Sequence, residues 1–402
     1  MTAHAPVEVL TFGCRLNLVE SEGMRRAAIA AGERDLVLVN TCAVTAEATR
    51  QARQAIRRVA RERPQARIVA TGCAVETDRA AFAGMNEIAA IIPNAEKSAP
   101  ATWGLAAKPA DAPGIVGHTR GFVAIQNGCD HRCTFCIIPF GRGASRSVAT
   151  AAVVAEVQAL VAAGHREVVL TGVDLTSWGA DLPERPRLGA LVAKILADVP
   201  DLLRLRLSSL DVAEIDGALM EVIAGEARLM PHLHFSLQAG NDLTLKRMKR
   251  RHLRADAIRV CREIREVRSD IVFGADLIAG FPTESEAMFE DSLALIEEGG
   301  LTHVHAFPYS PRPGTPAARM PQVAPEVGRA RAARLREAGA AALARHLKAQ
   351  IGRRIIVLAE RGGKGRAEDF TPVRIPAAEP GILIAGEVAG HDGGALLLRS
   401  SS

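Results

Sequence analysis

Three of the seven cysteines fall within eight residues, as Cys129-x3-Cys133-x2-Cys136. The segment follows a strand pattern at 121–126, so it is a loop at the carboxyl end of a strand. Thiolates are soft ligands that favour iron–sulfur clusters, zinc and Cu(I). A closed structural zinc site takes four ligands, usually as two spaced pairs. No second pair lies near these three, and His131 reads as a solvated loop residue rather than a fourth ligand. Three thiolates on a four-iron cluster leave one iron without a protein ligand. That iron can hold a small chelating cofactor, and the combination opens radical chemistry.

Cys14, Cys42 and Cys73 lie far apart in sequence but share a local setting. Apolar runs at 7–12, 35–40 and 67–71 read as strands, with helical patterns at 18–31 and 46–62 between them. Alternation of this kind predicts a parallel sheet, here a flavodoxin-like α/β domain over residues 1–97. Each cysteine stands just past one strand. Parallel strands finish at the same sheet edge, where ligands bind, so the three thiols are expected to form a shared site. The odd number of cysteines and the lack of a secretion signal at the N-terminus argue against a disulfide framework. Cys261 falls at helical spacing with Ile258 and Ile264 and reads as a core residue.

Residues 98–114 are rich in Ala, Pro and Lys and read as a linker. Strand patterns then recur at 121–126, 167–171, 203–208, 232–237, 271–278 and 302–307. Helical patterns at 150–163, 188–198, 212–224, 255–267 and 284–298 separate them, and another runs from 325 to 350. Six such units predict a partial (βα)6 barrel over residues 115–345. In residues 346–402, short runs at 353–359, 371–375, 382–388 and 395–399 predict a small antiparallel β-barrel. The net charge of +5 and pI near 9.0 favour a polyanionic partner. Aromatic residues, at 3%, are too few for a surface built on base stacking. No window approaches the ~20 apolar residues of a membrane span. The reading is therefore a cytoplasmic protein without a membrane partner.

Several segments together resemble the radical S-adenosylmethionine (SAM) methylthiotransferase family. They are FGCRLNLVESE (12–22), VNTCAVTAEATRQARQAIRR (39–58), VATGCAVE (69–76), NGCDHRCTFCIIPFGRGASRS (127–147), LTGVDL (170–175), RLSSLD (206–211), HLHFSLQAGNDLTLKRMKRRH (232–252), DLIAGFPTE (276–284) and HAFPYSPRPGTPAA (305–318). The resemblance implies two [4Fe–4S] clusters and SAM. Cys129, Cys133 and Cys136 match the ligands of the SAM-binding cluster, and Cys14, Cys42 and Cys73 those of an auxiliary cluster. Phe135 matches the aromatic position near the adenine, and Thr171, Gly172 and Asp174 the segment lining the SAM amino group. Ser209, Ser236 and Gln238 stand at strand ends in motifs facing the same pocket. In the implied reaction, one SAM methylates sulfur at the auxiliary cluster. A second SAM gives the 5′-deoxyadenosyl radical that activates a substrate C–H bond, and the methylthio group joins that carbon. No side-chain acid or base is obligatory, because the cofactors carry the difficult steps.

The segment GCRLN followed by VESE resembles the branch that modifies N6-threonylcarbamoyladenosine at position 37 of tRNA. Neighbouring branches act on isopentenyladenosine at that position or on a ribosomal-protein aspartate; a reading of another class is a non-catalytic RNA-binding iron–sulfur redox sensor. Charge is placed as an RNA binder requires. Arg50, Arg53, Arg57 and Arg61 form a stripe on the 46–62 helix, opposite Ala52, Ile56 and Val59. Lys249 and Arg250 belong to a second basic cluster, which either lines the nucleic-acid path or clamps the SAM carboxylate. The C-terminal stretch resembles a TRAM RNA-binding domain, with Arg353 and Arg354 as phosphate contacts. The implied partners are the anticodon stem-loop of tRNA, an electron donor and a sulfur source, with the enzyme acting as a monomer.

Overall fold

The computed structural model describes residues 7–107 and 114–399. These form two compact units. The first contains the chain up to Val116 together with Gln126–Arg146 and Ser310–Ala318. The second contains Gly117–Ile125, Ser147–Tyr309 and the chain from Arg319 onward.

In the first unit, strands Glu8–Thr11, Leu36–Thr41, Arg67–Gly72 and Ala90–Ile91 pair side by side in sequence order, all parallel. The central two are buried along almost their whole length, as expected of strands covered on both faces. Helices Arg15–Ala30 and Ala46–Glu62 make the crossovers. The second helix starts cleanly because Thr45 caps it, its side chain accepting from the Ala48 amide at 3.1 Å. Its apolar face, Ala52, Ile56 and Val59, is buried as the 3.6-residue period predicts.

The second unit holds six parallel strands: Gly121–Ala124, Glu167–Thr171, Arg204–Leu207, His232–Gln238, Val272–Ala279 and Leu301–Pro308. They pair as two three-stranded sheets, linked by the isolated parallel bridge Leu210↔Phe235, with a second bridge from Leu205 to Leu229 just ahead of the fourth strand. That is an open six-stranded barrel. Its outer faces pack on the crossover helices through one continuous core. Cys261 lies in that core at 1% exposure, as expected.

Five strands at the C-terminus, Arg354–Glu360, Lys364–Arg366, Pro372–Arg374, Leu383–His391 and Leu396–Leu398, close into a small barrel. The expectation of a wholly antiparallel barrel needs one correction: Pro372–Arg374 and Leu396–Leu398 run parallel. A closed ring of five strands cannot alternate direction at every pair, so one pair must be parallel. The fifth strand, Lys364–Arg366, escapes the sequence reading because Lys-Gly-Arg carries no apolar run. No helix among the described residues is long and apolar enough to cross a membrane.

Candidate metal centres and cofactor pocket

The register of the first sheet sets Thr11 beside Asn40, Asn40 beside Thr71, and Thr41 beside Gly72. Three strands therefore end at one edge, with Cys14, Cys42 and Cys73 following within three residues. Cys42 and Cys73 are buried and Cys14 is exposed. Gly72 has φ +97°, and a Cβ there would stand 2.5 Å from the Thr41 backbone, so only glycine delivers Cys73 to this edge. Cys42 Sγ accepts from the Val44 amide at 3.5 Å, and Cys73 Sγ from Asn94 Nδ2 at 3.8 Å.

The thiols are close enough to feel one another's charge. Burial pushes the Cys42 thiol up to about 11, and charges on Cys73 and Cys14 add to that. Burial also raises Cys73, while the nearby Arg142 and Lys97 cations pull it back. Three convergent sulfur donors, a backbone N–H aimed at sulfur and buried cations nearby suit an anionic thiolate-bound cluster.

The second triad lies in the same unit. Cys129 is buried; Cys133 and Cys136 are half-buried. The loop is held by its own backbone: the Cys129 amide donates to the Gly143 carbonyl at 3.1 Å, and the Cys136 amide to the Cys133 carbonyl at 3.1 Å. The Ala317 amide donates to the Thr134 carbonyl at 2.9 Å. Phe135 is half-buried between the last two cysteines. This fixed three-thiol loop fits the ligand set of a cluster with one open iron.

In the second unit, the expected cofactor residues stand at carboxyl ends of barrel strands. Thr171 ends its strand and is buried, with Gly172 following half-buried. The Asp174 carboxylate accepts from Ser177 Oγ at 2.7 Å and Thr176 Oγ1 at 3.3 Å. Ser209 follows the Arg204–Leu207 strand, half-buried. Ser236 lies within a register shift in the fourth strand and Gln238 closes it, holding φ +72°, a strained conformation of the kind concentrated at ligand sites.

Arg250 does not join a basic surface. It turns inward, donating to Asp211 Oδ2 at 3.0 Å and the Ser236 carbonyl at 2.7 Å. Lys249 is exposed.

A further group lies inside the barrel: Asp276 accepts from His234 Nε2 at 3.0 Å and from His305 Nδ1 at 3.2 Å. Burial opposes charge on Asp276, but both imidazoles outweigh it and hold the carboxyl well below its usual range. The signal in the sequence was His-x-His, at 232–234 and 303–305. On a strand, that spacing puts both rings on one face.

Only part of the arginine stripe on the Ala46–Glu62 helix is free surface. Arg50 pairs with Glu47, and Arg53 pairs with Asp78 while stacking over Phe82. Arg57 has only a distant partner, Glu87 at 3.9 Å. With Arg58, Arg61, Gln51 and Gln54 it lines an open groove of about 470 Å³. In the C-terminal barrel, Arg353 and Arg354 are exposed. Phe370 is not: Arg120, Arg206 and Arg366 stand over its ring, and His232 stacks on it at 5.1 Å.

The sequence matches the radical SAM superfamily over residues 123–296 and the uncharacterized protein family UPF0004 over residues 6–93. Solved structures sharing the fold include the radical SAM methyltransferase TsrM from Kitasatospora setae, at TM-score 0.53 and 17% identity, covering 75% of this chain and 70% of that one. The threonylcarbamoyladenosine tRNA methylthiotransferase MtaB of Rickettsia prowazekii is 44% identical over 382 residues, 92% of this chain and 91% of that protein. The tRNA-2-methylthio-N(6)-dimethylallyladenosine synthase of Erythrobacter litoralis is 33% identical over 393 residues, 90% of this chain and 88% of that one. The fold and cysteine loop thus define a radical SAM protein. The chain belongs to the radical SAM methylthiotransferase family. It is an enzyme that uses SAM and a [4Fe–4S] cluster.

Proposed function

We propose that this enzyme places a methylthio group on C2 of N6-threonylcarbamoyladenosine at position 37 of tRNA, with SAM and two [4Fe–4S] clusters. The observation that carries the substrate is the 44% identity, across nearly the whole of both chains, to a relative named for that nucleoside. Two relatives named for the dimethylallyl nucleoside are 33% identical, level with a second one named for the threonylcarbamoyl nucleoside. The barrel interior supports the same choice. Asp276 with His234 and His305 offers polar partners suited to a threonylcarbamoyl group and poorly suited to an apolar dimethylallyl chain.

Cys129, Cys133 and Cys136 hold the cluster that binds SAM, and Cys14, Cys42 and Cys73 hold the auxiliary cluster. When bound, these groups supply radical cleavage of a C–H bond and the sulfur to be transferred. The remaining roles belong to the chain. Ser177 and Thr176 fix the Asp174 carboxylate as an acceptor at a strand end. Asp211 orients Arg250 beside Ser236. Asp276 keeps a proton on His234 Nε2 and on His305 Nδ1, fixing both rings.

The reaction is tested by nucleoside mass spectrometry of total tRNA from a strain lacking the gene. The expected result is loss of 2-methylthio-N6-threonylcarbamoyladenosine with its unthiolated parent accumulating. Loss of the isopentenyl analogue moves the enzyme to that branch. No change in either defeats the tRNA reading and directs attention to a ribosomal-protein aspartate.

The groove on the Ala46–Glu62 helix bears on tRNA binding. Replacing Arg57, Arg58 and Arg61 together by Ala is expected to weaken tRNA binding. It should flatten the dependence of log K on log salt by ~2–3, about 0.9 for each phosphate no longer neutralised. Fluorescence anisotropy across a salt series measures this; an unchanged slope assigns these side chains to solvent alone. Arg50 and Arg53, already paired, should contribute less.

A further inference from the structure

One buried charged group beside the cysteine edge has no part in the chemistry described so far. Arg142 ends the short helix Ile138–Arg142, six residues after Cys136, and is 5% exposed. Its NH1 and NH2 donate to the two carboxylate oxygens of Glu20, each at 2.9 Å. NH1 also donates to Asn127 Oδ1 at 2.7 Å, and NH2 to Asn17 Oδ1. Lys97, 1% exposed, brings its Nζ within 2.7 Å of the same Glu20 carboxylate. Two basic side chains therefore share one carboxylate away from water, and burial works against the charge on Lys97. A buried net charge is costly unless a counter-charge lies beside it.

The network leads to the edge where Cys14, Cys42 and Cys73 converge. Asn17 Nδ2 donates to the Phe12 carbonyl at 2.7 Å and the Thr41 carbonyl at 3.1 Å, just ahead of Cys14 and Cys42. Asn40 links the other cation, accepting from Lys97 at 3.2 Å and donating to the Asn17 carbonyl at 3.0 Å. Gly141, next to Arg142, lies directly on Cys73: a Cβ there would stand 3.1 Å from Cys73 Cβ. The Gly141 carbonyl accepts from Asn94 Nδ2, the group that also faces Cys73 Sγ.

We infer that Arg142 is a positioning residue shared by the two cysteine triads: it is carried on the loop of Cys129, Cys133 and Cys136, clamps the backbone beside Cys14, Cys42 and Cys73, and supplies the positive charge that balances an anionic cluster held there. This rests on the two-cluster reading above. A positive charge beside a cluster stabilises its reduced, more negative form, so Arg142 raises the auxiliary cluster's reduction potential.

The test uses the full chain with Cys129, Cys133 and Cys136 all replaced by Ala, reconstituted with iron and sulfide under anaerobic conditions. A redox titration followed by electron paramagnetic resonance reads the remaining cluster. In that background, Arg142→Met is expected to move the midpoint potential to more negative values. Glu20→Gln, nearly isosteric, is expected to move it to more positive values. Arg142→Lys keeps the charge without the fork, and should stay near the parent potential while holding iron ~10–100-fold less tightly. A merely structural role would not move the first two in opposite directions. Should Arg142→Met fail to fold or load, Glu20→Gln decides alone: an unmoved or more negative midpoint overturns the inference. A parent variant with Arg142 intact that binds no iron overturns the auxiliary-cluster reading, and this inference with it. Iron bound normally with unmoved potentials overturns this inference only.

Discussion

Replacing Cys133 by Ala is expected to abolish 5′-deoxyadenosine formation and methylthiolation together. Cys133 stands in a loop with only two other thiols, Cys129 and Cys136, and each is needed to hold a cluster that has an open iron. The reaction has no fallback in side-chain acids or bases, so the whole acceleration goes with the cofactor, a loss of at least ~10⁶-fold. Cys14→Ala is the informative partner. On the proposed two-cluster reading it removes a ligand from the other triad, so about half the bound iron should go while reductive cleavage of SAM continues. Iron analysis, 5′-deoxyadenosine and methylthiolated product, measured side by side, separate the two. Product formation that survives Cys14→Ala would dismiss the auxiliary role, and cleavage that survives Cys133→Ala would dismiss the assignment of the SAM-binding triad.

The second large effect is on stability. Glu167 is fully buried at the start of the second barrel strand. Arg206 Nε donates to it at 2.7 Å and Arg120 Nε lies at 2.9 Å, with Arg204 at 3.6 Å. The same arginines reach the C-terminal barrel. Arg206 donates to the carbonyls of Glu368 and Ala367, Arg204 to that of Ile356, and Arg120 pairs with Glu360. Glu167→Gln leaves the buried Arg204 and Arg206 and the half-buried Arg120 without their shared anion, which should cost ~3–5 kcal/mol. For a unit of this size that lowers the melting temperature by about 6–20 °C, measurable by anaerobic thermal unfolding.

The pH dependence has a definite sign. Burial opposes the charge on Glu167, but Arg206, Arg120 and Arg204 outweigh it and hold the carboxyl below its usual range. Its stabilisation is therefore fully present above the unfolded carboxyl's pKa of ~4.3 and is lost as pH falls through the folded value. The gap between wild type and Glu167→Gln should narrow over that acid range. A gap that is constant with pH, or absent, would show that the cluster of charges contributes nothing net.

How much of this was legible beforehand depends on the range of the cause. The parallel strands were readable because apolar runs alternating with 3.6-residue helical patterns are properties of consecutive residues. The convergence of Cys14, Cys42 and Cys73 followed, since parallel strands share a carboxyl edge whatever their separation in sequence. Helix Asp242–Met248 is only seven residues long and its last turn merges into the basic run that begins at Lys246, which read only as charge. Closure of the last barrel by a parallel pair depended on the parity of five strands, one of which had no apolar signal.

Charge was the least legible quantity. A stripe of arginines at 3-4-4 spacing looks uniform in sequence, yet Glu47 and Asp78 neutralise two of them and leave Arg57 and Arg61, joined by Arg58, lining the groove. Arg250 sits in a run of basic residues but is turned inward by Asp211, 39 positions away. Phe370 is equally committed within the fold, with three guanidiniums over its ring and His232 stacked on it. Local spacing determined the elements, the strand-end cysteines and the family, because backbone preference and ligand count act over a few residues. Only the tertiary structure decided which charged side chains face solvent and which are buried against a partner, because a distant segment supplies the partner and burial sets its worth.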